Sequence, residues 1–466
     1  MEFNFCEDTI CAIATPIGEG GIGIVKISGP EALTVVSKLF RPHKPSRSLK
    51  PYQLCHGWIV DPVSKDILDE VLVSYMAAPA SYTGEDVVEI NCHSGYLVLN
   101  QILQLILQHG PRLAEPGEFT RRAFLAGRID LSQAEAVIEV IHSRSQQHLQ
   151  AATAHLKGEF RDRILALREH LLQFQAAMEA TIDFSDDIEE DPAENDPLLP
   201  LQLDEHLISP LRDMLDHYRE GRILREGLKI VLVGKPNVGK SSLLNALVRK
   251  ERAIVTPFPG TTRDVIEDSF LLGGVLVTVL DTAGIRAEPD MIESIGIERT
   301  FLAVAEADVV LWLIDQNQPL SGEDDAIFQS ISTSQFVIIL NKSDLPRVTS
   351  ATDTARRYGQ DRPVISMSAL DPKDIDRLRG HLQESFLRRP LELSRTALVP
   401  NLRHKNCLEH SLEALVRCKQ LIESKSFPEL VSLELHSARR QLDLLLGMEV
   451  EEDLLDSIFS QFCIGK

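Results

Sequence analysis

The stretch LKIVLVGKPNVGKSS at residues 228–242 decides how the middle of the chain folds. Its first six residues are apolar apart from one lysine, which predicts a buried strand. Gly234 to Ser241 then fit the pattern G-x-x-x-x-G-K-[ST]. The glycines let the backbone wrap around a phosphate chain, while inward-facing N–H groups and Lys240 supply positive charge. The stretch therefore predicts a phosphate-binding loop between a strand and a helix, with Ser241 as a Mg²⁺ ligand.

Further apolar runs follow this loop at the spacing of an α/β domain. They lie at residues 275–280, 309–314, 336–340 and 364–365. Strands that alternate with helical stretches predict a doubly wound sheet, and this one accounts for a nucleotide-binding domain at residues 227–384.

The remainder of the chain divides into an α+β region and a helical region. Residues 1–120 contain short β-branched runs around glycine-rich turns, which predict a compact α+β domain. Helical spacing of apolar residues begins near Gln133 and returns beyond Pro390. The α/β domain is therefore predicted to be inserted into one helical domain, whose halves are residues 121–226 and 385–466.

Composition excludes several classes of protein. The 466 residues carry a net charge of −21, from 48 Lys and Arg against 69 Asp and Glu, which argues against bulk electrostatic attraction to nucleic acid or to an anionic membrane. No apolar run reaches the roughly 18 residues of a membrane span, and the first residues lack a signal-peptide pattern, so we expect a cytoplasmic protein without membrane contact. The seven cysteines are scattered without a C-x-x-C pair, which predicts free thiols rather than disulfides or a zinc site.

Two other patterns leave alternatives open. Residues Gly18 to Gly23 fit G-x-G-x-x-G, but a β-branched run follows them where a dinucleotide site needs a helix, so a hairpin turn is the better interpretation. The acidic, proline-containing segment at residues 185–197 is most simply a solvated loop, and a regulatory or metal-binding role is the alternative.

Four motifs after the phosphate loop stand in the order that a GTP-binding domain needs. Asp281 to Gly284 end a strand, where they can reach Mg²⁺ and sense the γ-phosphate. Asn341 to Asp344 end another, and the Asp344 carboxylate can accept both N–H donors on the guanine edge, which adenine does not offer. Ser366 to Ala369 match the loop that supports the base, and Gly260 to Asp264 supply a switch threonine. The predicted nucleotide is GTP.

A catalytic glutamine is missing from this set. Ile285 stands where a glutamine often orients the attacking water, and an apolar side chain cannot do so. Glu293 and Glu298 are the candidates to replace it, and exposed helix carboxylates without a catalytic role are the alternative.

Cys463 is the fourth residue from the end of the given sequence. The residues after it fit a prenylation motif poorly. A thiol close to Lys466 can be activated as a nucleophile, because the cation stabilises the thiolate; a frayed end without a role is the alternative.

Several short blocks outside the nucleotide motifs are more particular than the motifs themselves. They are Asp8–Ile10, Gly20–Ile24, Tyr82–Asp86, Pro116–Phe124, Asp130–Ala136 and Phe462–Lys466. With these blocks, the whole chain resembles the MnmE family, also called TrmE, of tRNA modification GTPases. The resemblance implies a multidomain α/β and α protein, with an N-terminal folate-binding and dimerisation domain, a long-helix domain and an inserted Ras-like GTPase domain with a phosphate loop.

The resemblance also implies an activity and partners. A homodimer would work with the FAD-dependent partner MnmG, in a heterotetramer, to add an aminomethyl-type or carboxymethylaminomethyl group to C5 of the wobble uridine of certain tRNAs. The one-carbon unit would come from 5-formyl- or methylene-tetrahydrofolate. A monovalent cation near the β- and γ-phosphates would offset transition-state charge where no arginine is supplied, a role for which an arginine is worth about 10³–10⁵ in rate.

Site residues are implied position by position. Catalytic roles fall to Glu293, Lys240 and Cys463; folate contacts to Lys26, Glu89, Arg128 and Lys466; K⁺ contacts to Asn237, Thr256, Phe258 and Thr261; and Mg²⁺ ligands to Ser241 and Thr262. Motifs and resemblance together assign the GTP contacts to Asn237, Val238, Gly239, Lys240, Ser241, Ser242, Thr256, Pro257, Phe258, Pro259, Gly260, Thr261, Thr262, Asp281, Thr282, Ala283, Gly284, Asn341, Lys342, Asp344, Ser368 and Ala369.

Two positions depart from the family pattern. Ser94 stands where the family tends to have glycine, which bears on the local turn, and Lys26 stands where arginine is common, which keeps the charge but loses bidentate geometry. The alternative function is a GTP-switched ribosome-assembly or RNA-binding GTPase without one-carbon chemistry.

Overall fold

The computed structural model describes residues 8–16, 18, 20–44, 48–183, 199–216, 218–248, 267–281, 303–359, 362–387 and 399–466. Contacts among the described residues divide the chain into two compact units. Unit 1 comprises residues 1–138, 155–208 and 407–466, and unit 2 comprises residues 139–154 and 209–406. Each unit therefore joins stretches that are distant along the chain.

Unit 1 contains a mixed β-sheet whose strand order, across its described residues, is β3-β4-β5-β6-β2-β1-β7. Neighbouring strands are antiparallel except for β1 and β7, which are parallel. The strands are β1 (Ile10–Ile13), β2 (Gly23–Ser28), β3 (Phe40–Pro42), β4 (Leu54–Val60), β5 (Ile67–Met76), β6 (Val87–Cys92) and β7 (Arg112–Leu113).

Buried and less buried side chains alternate along the central strands, so one face of this sheet is packed against helices. Val25 and Ile27 of β2 are fully buried and belong to one apolar cluster with residues of α1 (Ala32–Leu39) and α2 (Tyr96–Leu107). Because successive side chains of a strand point to opposite faces, Lys26 lies on the face away from these helices. The predicted N-terminal α+β fold is confirmed.

The turn before β2 also agrees with its interpretation as a hairpin. Ile13 of β1 pairs with Val25 of β2 in antiparallel register, so the glycine-rich residues connect two paired strands rather than open a helix. Ser94 is buried here and its hydroxyl donates to the carbonyl oxygen of Gly20. The serine therefore supports the local turn with a hydrogen bond that a glycine could not make.

Long helices make up most of the rest of unit 1. α6 (Glu159–Asp183) and α15 (Pro428–Leu446) pack along each other. The last described helix, α16 (Glu452–Phe459), packs on α3 (Glu118–Leu125) and α4 (Leu131–His142) through a cluster that includes the aromatic rings of Phe124, Phe459 and Phe462. The other described helices outside the nucleotide sheet are α5 (Gln146–Leu156), α7 (Leu199–Leu203), α8 (Ser209–Asp216), α9 (Tyr218–Glu226) and α14 (Leu402–Glu423). Of these, α8 and α9 lie in unit 2, as does most of α5, while α14 begins in unit 2 and continues into unit 1.

Unit 2 contains the predicted doubly wound sheet. Its order in the described part of the chain is β13-β12-β11-β8-β10-β9, parallel throughout except for the β9–β10 hairpin. Separate apolar clusters cover its two faces, one including α10 and α13 and the other α11 and α12. The elements are β8 (Leu228–Val233), α10 (Lys240–Val248), β9 (Glu267–Leu272), β10 (Val275–Asp281), β11 (Val309–Asp315), α11 (Gly322–Ile331), β12 (Phe336–Asn341), α12 (Ala351–Tyr358), β13 (Val364–Ser366) and α13 (Pro372–Leu382).

Some predictions fall outside the described residues. These are the acidic segment at 185–197, Ile285 and Glu298. Among the helices that the structure does describe, none is both long and apolar enough to cross a membrane.

Candidate functional site

The phosphate loop runs from Gly234 at the end of β8 to Lys240 at the start of α10. The Lys240 Nζ donates to the carbonyl oxygens of Gly234 at 2.7 Å and Lys235 at 2.9 Å. Asn237 has φ +63°, which is uncommon for a residue with a side chain. The loop therefore curls back over its own lysine and holds that cation at the start of the helix, where a phosphate chain binds.

Asn341, at the end of β12, joins three of the predicted nucleotide motifs. Its amide nitrogen donates to the Val238 carbonyl oxygen at 2.7 Å, and its amide oxygen accepts from the Ala369 N–H at 2.9 Å. The approach to the phosphate loop is close, because a Cβ on Gly239 would lie 2.2 Å from that amide nitrogen. The phosphate loop, the guanine motif and the base-supporting loop are thus brought together at the carboxyl ends of β8, β12 and β13, where ligands of such sheets bind.

Asp344 is exposed and carries the charge that guanine recognition needs. The hydroxyl of Ser368 is the main cause that holds the pKa of Asp344 below its usual value. Ser368 is itself buried and fixed, since its N–H donates to Asp374 at 2.8 Å. An ionised carboxylate held by the base-supporting loop can accept the two N–H donors of a guanine edge.

Lys342 is held by a residue that the sequence reasoning missed. Its backbone has φ +65°, and its Nζ donates to the buried Asp315 at 2.6 Å. Gln316 follows Asp315, and its amide oxygen accepts from the Ser366 hydroxyl at 2.9 Å. Asp315 is the last residue of the buried strand β11 and Gln316 follows it, and polar residues at the carboxyl end of a parallel strand are a signal that could have identified them.

Much of the predicted magnesium, potassium and catalytic set lies outside the described residues. Ser241 and Asn237 are described, and both present exposed oxygen-bearing side chains of the kind that Mg²⁺ and K⁺ accept. The backbone of Asp281 ends β10, but its side chain is not described. The predicted residues outside the described ranges are Thr256, Pro257, Phe258, Pro259, Gly260, Thr261, Thr262, Thr282, Ala283, Gly284 and Glu293.

A second cluster of predicted residues lies in unit 1. Lys26 of β2 is directly paired with Glu89 of β6, and its Nζ lies 3.8 Å from the Glu89 carboxylate. The same ammonium lies 5.6 Å from the ring centroid of Tyr82 and 5.3 Å from that of Phe119. An ammonium over two aromatic faces is attracted to both rings. Lys26 is therefore held in a partly buried pocket with one carboxylate and two aromatic walls.

Gly465 and Lys466 contact the elements around Lys26. The Lys466 carbonyl oxygen accepts from the Phe119 N–H at 3.1 Å, and Gly465, at φ +95°, lies so close to β1 that a Cβ there would be 2.5 Å from the Ile13 carbonyl oxygen. Burial is the main cause that lowers the pKa of Lys26; Glu89 raises it, and the charge of Lys466 lowers it. The two lysines are thus near enough to act on each other, as a site for an anionic ligand requires.

Arg128 and Cys463 complete the predicted set in unit 1. The charge of Arg128 acts on Tyr82, whose pKa is raised chiefly by burial and lowered by Arg128. Cys463 is an exposed free thiol, and its carbonyl oxygen accepts from the Lys466 N–H at 3.3 Å. The structure therefore groups Lys26, Glu89 and Lys466 with Arg128 around Tyr82. The aromatic walls Tyr82 and Phe119 were not predicted as site residues, although both stand in the family-like blocks.

The pocket in unit 1 fits a folate in its chemistry. A folate offers a flat bicyclic ring for an aromatic side chain and a tail of carboxylates for cations. The half-buried Tyr82 suits the first and the lysines suit the second, while Phe119 is fully buried beneath Lys26.

Two family models match separate stretches of this chain. A family model described as the MnmE helical domain matches residues 131–463, and one described as the GTP-binding protein TrmE N-terminus matches residues 9–128. The chain is 56% identical over 469 residues to a tRNA modification GTPase MnmE from Syntrophobacter fumaroxidans, with 100% of both chains covered. It is 45% identical to that of Carboxydothermus hydrogenoformans and 46% identical to that of Moorella thermoacetica, each over 99% of this chain and 100% of the relative.

Solved structures match over a shorter stretch. A crystal structure of Aquifex aeolicus Era bound to GDP.AlF4- is 27% identical, with a TM-score of 0.28, and the match covers 40% of this chain and 66% of that one.

Proposed function

Because the chain belongs to the MnmE family of tRNA modification GTPases, we propose that it couples GTP hydrolysis to modification of the wobble uridine of certain tRNAs. The observation that carries the GTP part is Asn341, whose amide ties the phosphate loop to the base-supporting loop. The observation that carries the modification part is the pocket around Lys26, which a simple GTP switch does not need.

GTP recognition divides between two ends of the nucleotide. Asp344 accepts the guanine N–H donors, while Lys240 and the helix start behind it hold the β- and γ-phosphates. Ser241 and Thr262 would hold Mg²⁺, and Asn237, Thr256, Phe258 and Thr261 would hold K⁺; bound there, the cations offset charge on the phosphates. Glu293 is proposed to orient the attacking water in place of the missing glutamine.

The pocket in unit 1 is proposed to bind 5-formyl- or methylene-tetrahydrofolate, whose one-carbon unit becomes part of the added aminomethyl-type or carboxymethylaminomethyl group at C5. Lys26, Arg128 and Lys466 supply cations for the anionic ligand, and Glu89 accepts from ring N–H groups. Cys463 lies three residues before Lys466 and is proposed as the nucleophilic thiol near this pocket.

The family membership supports further proposals on location, assembly, substrate and domain boundaries. The protein acts in the cytoplasm as a homodimer, with an FAD-dependent MnmG partner in a heterotetramer, and its substrate is tRNA. The domain boundaries predicted at residues 120, 226 and 384 belong to the same proposal, with residues 1–120 as the dimerising folate domain.

Folate titration of the full-length protein tests this function most directly. Calorimetry with 5-formyltetrahydrofolate should give saturable binding to the native chain, and Lys26→Met should abolish it, because a methionine fills the same space between Tyr82 and Phe119 without charge. Lys38→Met on the surface of α1 is the matched control and should bind as the native chain does.

The outcome separates the two candidate functions. If the native protein binds GTP but no folate, and if tRNA from cells that lack it keeps its modified wobble uridine by mass spectrometry, the ribosome-assembly or RNA-binding GTPase becomes the better description.

A further inference from the structure

Lys235, the second residue of the phosphate loop, is tied to a helix outside the nucleotide motifs. Its Nζ donates to the Asp324 carboxylate at 2.8 Å and to the Ser321 hydroxyl at 3.2 Å. The side chain of Lys235 is 13% exposed and that of Asp324 is 1% exposed. This is a buried ion pair between the phosphate loop and the start of α11.

Asp324 is in an unusual place for a helix-capping carboxylate. It lies in the first turn of α11, where its Oδ2 also accepts from the Ser321 N–H at 2.9 Å and from the Ser321 hydroxyl at 3.1 Å. Acidic residues in a first turn are normally exposed, because the interaction with the helix end does not require burial. Its Oδ1 is also buried and has no hydrogen-bond partner among the described residues. A buried carboxylate is costly unless it is paired, so Lys235 is the counter-charge that keeps it there.

The same Lys235 supplies one of the two carbonyl oxygens that hold Lys240. The other is that of Gly234, whose backbone lies so close to β11 that an added Cβ would clash with the Leu313 carbonyl oxygen. The first residue of the loop is thus packed against β11, and the second is joined to α11 by the side-chain pair. Both carbonyl groups that receive the Lys240 ammonium therefore depend on the segment from β11 to α11.

We propose that Asp324 is a positioning residue for GTP: through Lys235 it holds the loop carbonyl groups that direct Lys240 at the β- and γ-phosphates. Asp324 itself touches no phosphate. The inference rests on the GTP binding of the proposed function and is independent of its folate and tRNA chemistry. A cap of α11 without influence on the nucleotide is the competing explanation.

Asp324→Asn separates these two roles. Ser321 remains the N-cap of α11 in this variant, and the amide oxygen of an asparagine at position 324 can still accept from the Ser321 N–H, so the helix keeps its capping box while the charge that pairs with Lys235 is lost. We expect GTP affinity, measured by calorimetry at a temperature where every variant is folded, to fall about tenfold, as the loss of one charge-assisted hydrogen bond implies. Lys235→Met should lower it similarly, while Lys235→Arg, which keeps a cation for Asp324, should retain most of it.

Asp325→Asn is the matched control. Asp325 is the next residue of the same helix, and its carboxylate pairs with Arg357 and Tyr358 instead of a nucleotide loop. Removing this charge should leave GTP affinity unchanged, even though it also breaks an ion pair of α11.

A double-mutant cycle with Lys240→Ala tests the route of the effect. If Asp324 acts through Lys240, the Asp324→Asn change should weaken GTP binding far less in the Lys240→Ala background, because the group that it positions is gone. Equal, additive losses would overturn the proposal, as would unchanged affinity in the Asp324→Asn protein. If the unsubstituted protein itself binds no GTP, the proposed function fails instead, so the two failures are distinguishable.

Discussion

His148 is a buried imidazole in α5 whose protonation opposes the folding of unit 2. Burial lowers its pKa to about 4, and the charges of Arg225 and His142 lower it as well. Its Nε2 has no hydrogen-bond partner within the described ranges. The folded state therefore holds His148 neutral where an unfolded chain, with a pKa near 6.5, takes up a proton.

The resulting pH dependence has a definite sign. Stability from the neutral His148 is fully present above pH ~6.5 and is lost as the pH falls toward 4, with a slope of about 1.4 kcal/mol per pH unit. We expect His148→Leu to remove this loss, so that at pH 4.5 the variant gains about 2.5 kcal/mol relative to the native chain compared with their difference at pH 7. Urea unfolding followed by the fluorescence of Trp312 in β11 measures the free energy of unfolding of both proteins. If the variant and the native chain differed by the same amount at pH 4.5 and pH 7, the role given to His148 would be wrong.

Single residues also show where sequence reasoning stops. The pattern around Asn341 predicted guanine binding, but its hydrogen bonds to Val238 and Ala369 depend on how closely three loops approach in the folded chain. Asp315 and Asp324 belong to no motif, because their role comes from lysines 27 and 89 positions away along the chain. A pattern of residue types carries no information about such distant partners.

Buried charge also joins two long packed helices of unit 1. Asp443 of α15 is 2% exposed and accepts from Arg168 of α6 at 2.5 Å and from Arg439, one turn away, at 2.8 Å. Both arginine side chains are one-quarter exposed. Water can therefore solvate the arginines in part but not the carboxylate that they share.

Asp443→Asn should destabilise the α6–α15 pair more than an ordinary surface change. Two guanidinium groups lose their charged partner, and breaking a buried ion pair costs about 3–5 kcal/mol of stability. Because both arginine side chains are partly exposed to water, we expect the lower end, about 3 kcal/mol. Hydrogen exchange of the α6 and α15 amides measures the loss. Glu449→Gln, which breaks the exposed Arg440–Glu449 contact of 3.7 Å, should change it by less than about 0.5 kcal/mol; equal effects of the two variants would refute the expectation.

The elements that were missed in the sequence have physical reasons. In β4, Gly57 lies on the buried face against Phe40, whereas the apolar Leu54 lies on the exposed face. The apolar and polar residues therefore do not alternate as they do in a typical half-buried strand. β9 begins with acidic residues, but the Gly273-Gly274 turn that joins it to β10 has φ +59° and +82°, and such a pair is a recognised hairpin signal. The long helices and parallel strands, by contrast, have strong periods and were predicted.

The division into two units gives each proposed ligand its own structural reporter. The chain has two tryptophans, Trp58 in β4 of unit 1 and Trp312 in β11 of unit 2. The residues around Lys26 all lie in unit 1, and the described GTP residues all lie in unit 2. Each ligand should therefore stabilise the unit that binds it.

GDP at 100 times its dissociation constant should stabilise unit 2 by about 2.7 kcal/mol, because it binds the folded state only. In the Trp58→Phe protein, where fluorescence comes from Trp312, GDP should raise the urea concentration at the midpoint of unfolding. In the Trp312→Phe protein, where fluorescence comes from Trp58, 5-formyltetrahydrofolate should raise it instead. ATP serves as the control for GDP and should move neither. A GDP shift of equal size at both tryptophans would show that the units unfold as one.

The order of residues along the chain means that the two units are completed at different times during synthesis. Unit 2 ends at residue 406, so all of its residues have been made before the ribosome adds residues 407–466 of unit 1. Domains fold as units while the chain emerges, and the nucleotide sheet can therefore close while unit 1 still lacks α15, α16 and Lys466. The residues around Lys26 are consequently brought together only after residues 407–466 have been made, by which time the nucleotide sheet can already have folded.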